Sequence, residues 1–232
     1  VSLPFFYFDS TMLLLIPAMI LALYAQSKVR SAYAQYSQVP AARGLSGAQA
    51  ARALLDSSGL HGVGVEMAAG YLTDHYDPRT QVVRLSPQVY HGTSVAALGI
   101  AAHETGHAVQ HAEGYFALSL RNNFFPIAQF GSNMAMPLFL IGFLFAGSMG
   151  ILMDIGILLF VFAVLFQVIT LPVEFNASSR AVGMLTTGGI IAPAEEAGVR
   201  KVLGAAALTY VAATATAISS LLRLFLLRGR RR

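Results

Sequence analysis

Four long apolar runs constrain this chain more than anything else in it. Residues 5–24, 127–146, 151–171 and 202–227 each contain at most one charged residue. Each is at least about 20 residues long, which as a helix crosses a hydrocarbon layer of about 30 Å. Lipid offers no hydrogen-bond partners, so a backbone crossing it must pair its own N–H and C=O groups, and runs of this length do so as helices. The composition agrees. Hydrophobic residues make up 56% and charged residues 11%, with a mean hydropathy of +0.62, against about 45–50% apolar and about 25% charged in soluble domains. The expected fold is an α-helical integral membrane protein with about four transmembrane segments.

The first run opens on Phe5-Phe6-Tyr7-Phe8 and carries one charge, Asp9. No basic residue precedes it, and Lys28 and Arg30 follow it as a stop-transfer pattern would, so it reads as a retained anchor and not a signal peptide. Pro17 is expected to kink it. The second and third runs are separated by Gly147-Ser148-Met149-Gly150 and read as a transmembrane hairpin, with Asp154 an interfacial residue near its turn. The last run has Arg223 inside it and Arg228, Arg230, Arg231 and Arg232 after it. It is read as spanning; the alternative packs its first half on the water-soluble part of the chain.

Between about residues 31 and 121 the composition becomes that of a water-soluble unit. Ser46-Gly47-Ala48-Gln49 reads as a capping box that opens a short helix, which Gly59 ends. Residues 63–67 and 81–85 look like short strands, with Asp77-Pro78-Arg79-Thr80 as the turn before the second. The resulting organisation is an anchor over residues 1–26, a small α+β catalytic unit over 27–126, the hairpin over 127–171, a segment over 172–201, and a C-terminal apolar helix with its basic tail over 202–232.

His103-Glu104-Thr105-Gly106-His107 lies in the soluble part. On a helix, residues four apart share a face, so the two imidazoles stack one turn above each other with Glu104 beside them. This is the His-Glu-x-x-His arrangement, in which two neutral ring nitrogens bind zinc and the carboxylate takes a proton from the water that the ion activates. Thr93 and Ser94 give a helix start, the Ala-rich stretch after them suits a buried helix, and Gly114 gives its stop. The strand just before this helix could use an exposed edge to pair with an extended peptide. An ordinary packed strand is the alternative. The chain has no cysteine, so no disulfide and no thiolate ligand can contribute.

Two histidines leave a catalytic zinc site one ligand short. His111 is one more turn along the same helix, and three ligands in a row along it would span about 12 Å, too far to converge. Glu113 stands where metzincins carry a third histidine, but Gln110 replaces that motif's glycine. His75 sits in a turn-like stretch. Glu174 is the best choice. It follows the hairpin, which carries the chain out and back, and an isolated acid at the mouth of an apolar segment is expensive unless something pairs with it. Pairing with Arg180 is the alternative role for this acid.

Together, Phe5-Phe6-Tyr7-Phe8-Asp9, Leu72-Thr73-Asp74-His75-Tyr76-Asp77-Pro78-Arg79, His103-Glu104-Thr105-Gly106-His107 and Leu171-Pro172-Val173-Glu174-Phe175-Asn176-Ala177-Ser178 resemble the bacterial membrane-bound neutral zinc metallopeptidases, the YugP-like family. The resemblance covers nearly the whole chain. It implies an integral-membrane gluzincin, similar in plan to the HtpX and Ste24 families, with zinc on His103, His107 and Glu174 and with Glu104 as general base. Those relatives carry Glu-x-x-Ala-Asp at the third ligand, the aspartate supporting a zinc-bound histidine. This chain has Ser178 there, so Ser178 or Asn176 would take that role.

The expected function is therefore a membrane-embedded zinc metalloendopeptidase acting on protein or peptide substrates, membrane proteins among them. The alternatives are a non-catalytic scaffold or chaperone retaining the zinc site, or a zinc hydrolase of another amide. His75, Tyr76, His91 and Arg180 are candidate oxyanion donors. The formal charge of +4 comes largely from the C-terminal arginines and suits anionic lipid head groups. No basic stripe with interleaved aromatics points to nucleic acid. Lys28, Arg30, Arg121, Arg180, Arg200 and Lys201 flank the apolar runs on the catalytic side, which puts that side in the cytoplasm; the C-terminal arginines pull the other way. Oligomeric state stays open.

Overall fold

The computed structural model describes residues 9–230; Phe5 to Phe8, Arg231 and Arg232 lie outside them. Four helices among the described residues are long and apolar enough to cross a membrane: Ser10–Tyr36, Phe116–Leu144, Ile151–Thr187 and Pro193–Gly229. The expected multi-pass helical protein with a small α+β part is what the chain forms. It divides into two compact units, one drawn from the first helix through Tyr24, Leu120–Thr170 and the chain from Thr209, the other from Ala25–Ser119 and Leu171–Leu208.

The first unit holds the apolar hairpin. Helix α1 (Leu15–Tyr36) follows a 3₁₀ turn over Ser10–Leu14 that Asp9 caps. Pro17 falls in the first turn of α1, just after the 3₁₀ turn, where a missing N–H is best tolerated. The hairpin arms are α5 (Phe116–Leu144) and α7 (Ile151–Thr187), joined through the short α6 (Ala146–Met149). Phe139, Met153, Ile157 and Leu224 form the buried core. The acids and arginines at the ends of the apolar runs meet one another: Arg228 donates to both oxygens of Asp154 at 2.8 Å, and Arg230 pairs with Asp9. Arg223 donates to Thr11 Oγ1 at 3.3 Å.

In the second unit the expected local signals are in place. Ser46 and Gln49 form a reciprocal capping box at the start of α2 (Gly47–Ser57). Gly59, at φ +74°, and Gly114, at φ +64°, follow the ends of α2 and of α4 (Val95–Ala112), the left-handed residues that let the last carbonyls find donors. The strands β1 (Gly64–Met67), β2 (His75–Asp77) and β3 (Val82–Leu85) form one sheet in the order β1-β3-β2. β3 pairs parallel with β1 and antiparallel with β2. The strand nearest α4 in sequence is thus the central one, with no edge to offer a peptide; β1 and β2 are the edges.

The short α3 (Pro87–Tyr90) leads from β3 to α4, the buried axis of this unit. Ser94 caps it by accepting from the Ala97 N–H, and nearly every residue from Val95 to Gln110 is buried. Ala97, Ala101 and Ala108 face Leu55, Val83 and Leu85 of α2 and the sheet. Val95, Leu98 and Ala102 face Ala181, Val182 and Leu185 of α7, and Val199 and Leu203 of α8 (Pro193–Gly229). Small side chains let three layers approach a single helix, which is why its alanine content reads as burial. α7 continues as one helix through Pro172, losing one backbone bond there.

Candidate metal centre

His103 and His107, one turn apart on α4, have their ring centroids 4.8 Å apart and nearly perpendicular. Both turn Nε2 toward α7. Glu174 Oε2 lies 3.3 Å from His103 Nε2 and 3.7 Å from His107 Nε2. All three donor atoms fall within 4.8 Å of one another, and theirs is the metal-capable group found among the described residues. Ligands bonded at about 2.0–2.1 Å around a tetrahedral zinc are roughly 3.3–3.4 Å apart. The two distances to Glu174 Oε2 are close to that edge length. Two imidazoles and one carboxylate are a zinc donor set that leaves a fourth position for water or substrate, so these residues fit the ion.

The remaining ring nitrogens are tied down. His103 Nδ1 lies 3.2 Å from Ser178 Oγ, one turn beyond Glu174 on α7. Ser178 therefore stands beside the first histidine. His107 Nδ1 lies 3.0 Å from Gln110 Oε1. Gln110, fully buried, was not singled out in the sequence as a partner. Its place three residues after His107, on the same helix face, was the available signal. Asn176 joins this side of the site through Gln110 Nε2, at 2.9 Å.

Glu104 is buried next to His103. Burial pushes its carboxyl up to about 7, with His103 drawing it down and Glu174 adding to the rise. A dication among the neighbouring donors would favour the carboxylate form.

The other candidates are engaged elsewhere. His111 Nδ1 is 2.8 Å from the Tyr76 hydroxyl, and Glu113 pairs with Arg180 at 2.7 Å. His75 is exposed, its Nδ1 bonded to the Thr73 carbonyl at 2.8 Å. His91 packs edge-on against Tyr90. Arg180 also donates to Asn176 Oδ1 at 2.7 Å, so its partners are Glu113 and Asn176 and the alternative pairing with Glu174 does not form.

The family model described as "Putative neutral zinc metallopeptidase" matches residues 11–229. The chain is 52% identical over 219 residues to a Bacillus subtilis (strain 168) protein named "Putative membrane protease YugP", covering 94% of this chain and 96% of that protein. No solved structure matches.

Proposed function

Because the chain belongs to that neutral zinc metallopeptidase family, we propose that it is a gluzincin-type membrane endopeptidase, with His103, His107 and Glu174 as the zinc ligands and Glu104 as the general base. The observation that carries this reading is the meeting of Glu174 Oε2 with both imidazole Nε2 atoms, on the helix that also holds Glu104.

Bound zinc supplies Lewis acidity, which polarises a peptide carbonyl and makes a water acidic enough to lose a proton near neutral pH. Glu104 receives that proton on a carboxylate oxygen and returns it to the amide nitrogen as the bond breaks. Its buried position keeps the proton from bulk solvent between the two steps. Ser178 and Gln110 keep the imidazoles oriented. Substrates are peptide segments, including those of membrane or misfolded proteins, and the catalytic unit faces the cytoplasm. Six Lys and Arg residues, Lys28, Arg30, Arg121, Arg180, Arg200 and Lys201, support that orientation.

Assaying the purified Glu104→Gln variant beside the parent, with zinc content measured in both, tests the assignment. Loss of cleavage by about 10²-fold or more with zinc retained is expected. Undiminished cleavage would remove Glu104 from the chemistry, and a parent that binds zinc but cleaves nothing would favour the scaffold reading. A reporter fused after the last residue is expected outside the cytoplasm.

A further inference from the structure

Gln110 holds its orientation for a reason that can be traced from bond to bond. The Val173 backbone carbonyl can only accept a hydrogen bond, and it sits 2.9 Å from Gln110 Nε2. Asn176 Oδ1 sits 2.9 Å from the same nitrogen. Which end of the Asn176 amide faces Gln110 is itself dictated, because the guanidinium Nε of Arg180, which can only donate, meets that atom at 2.7 Å. Arg180 is in turn held by Glu113 through its Nη2. With both acceptors on its amide nitrogen, Gln110 has one arrangement left: its oxygen faces His107 Nδ1 at 3.0 Å. An oxygen there requires a proton on Nδ1, and a neutral imidazole with that proton has its lone pair on Nε2, the atom that faces Glu174.

We propose that Gln110 is a positioning residue that selects the metal-binding tautomer of His107, its own amide oriented by Val173 and by the Asn176–Arg180–Glu113 chain. The proposal rests on the zinc reading of the site. It assigns to a neutral amide the task that a carboxylate or a main-chain carbonyl performs at many zinc histidines. The two ligands are also held differently. Ser178, a hydroxyl that can rotate to donate or accept, does not dictate the tautomer of His103, whereas Gln110 dictates that of His107.

The test is zinc affinity, measured by chelator competition on the full chain in detergent, for the parent, Gln110→Leu, Gln110→Glu and His107→Ala. Both Gln110 variants lose the amide N–H groups that Val173 and Asn176 accept, so both lower the thermal midpoint of the metal-free protein. Only Gln110→Glu keeps an oxygen in front of His107. Gln110→Leu is expected to weaken zinc binding by about 10–100-fold and Gln110→Glu by less than about threefold.

Equal weakening in the two variants would make the role purely structural and overturn the proposal, as would parental affinity in Gln110→Leu. A parent that takes up no zinc, or one whose uptake His107→Ala leaves unchanged, overturns the metal reading and the proposal with it. Should Gln110→Leu not fold, the ¹⁵N shifts of the His107 ring in the zinc-loaded parent decide the matter: a protonated Nδ1 supports the proposal, and a metal-bound Nδ1 overturns it.

Discussion

Gly106 and Ala177 bring α4 and α7 together at backbone distance: a Cβ added to Gly106 would lie 2.8 Å from the Ala177 carbonyl oxygen. Gly106 stands between Glu104 and His107, and Ala177 is three residues after Glu174. The approach that puts the third donor beside the imidazoles therefore depends on a missing methyl group. Gly106→Ala is expected to force the helices apart, costing about 1–3 kcal/mol by overpacking. Zinc affinity should fall as well, because a metal site tolerates displacements of only about 0.5 Å. Thermal unfolding of the metal-free protein and a zinc titration check the two effects, and parental values in both would mean that the backbones are not in contact.

A ligand that binds the folded chain and not the unfolded one stabilises it by mass action, about 2.7 kcal/mol when its free concentration is a hundred times Kd. Zinc should therefore raise the thermal midpoint of the parent, and a chelator should bring it back. Glu174→Ala removes the donor on α7 and is expected to abolish most of the zinc-dependent rise. A rise of parental size in that variant, seen by differential scanning fluorimetry, would mean that a different group completes the site.

The features that the sequence made legible are those whose cause is local. Length and apolarity alone identify the four runs. Ser46 with Gln49, Ser94, Gly59 and Gly114 mark helix ends because each cap acts within one turn of the chain. His103 and His107 could be paired from their spacing, and Glu174 from the hairpin's return. Features set by distant partners were not legible. β3 is central because β2 folds back onto it, a pairing that neither strand's residues specify. Pro17 and Pro172 have opposite contexts, one in the first turn of α1 and one in the interior of α7, although the first stands in an apolar run and the second directly after one. Gln110 looked like a missing glycine until α7 supplied the carbonyl that turns its amide.

The turn that leads from β2 to β3 predicts a pH dependence. Asp77 accepts bonds from the Arg79 N–H, the Thr80 hydroxyl and Arg84, which hold its carboxyl well below the usual carboxylate range. A depressed folded-state pKa means that this stabilisation is fully present above the unfolded value of about 3.9 and is lost as pH falls through the folded one. Asp77→Asn should lower stability at neutral pH and flatten the dependence of unfolding on pH below about 4. Denaturant unfolding followed across that range provides the check; an unaltered slope would assign the acid sensitivity to other carboxylates.

The pair at the ends of the apolar runs yields the last prediction. Arg228, near the end of α8, makes two parallel bonds of 2.8 Å to Asp154 in the first turn of α7. A forked contact of this kind is the strongest geometry available to an arginine and a carboxylate. The Asp154 side chain is 42% exposed, so solvent or head groups screen part of the attraction and the coupling should be favourable but small, as for surface pairs. A double-mutant cycle with Asp154→Asn and Arg228→Gln, read from unfolding in mixed micelles, measures it directly. Arg228→Lys keeps the charge but loses the fork, and should recover less than the full coupling. Additive single effects would mean that the contact contributes nothing, and that packing such as that of Leu224 against Phe139 and Met153 holds the last apolar run to the hairpin without it.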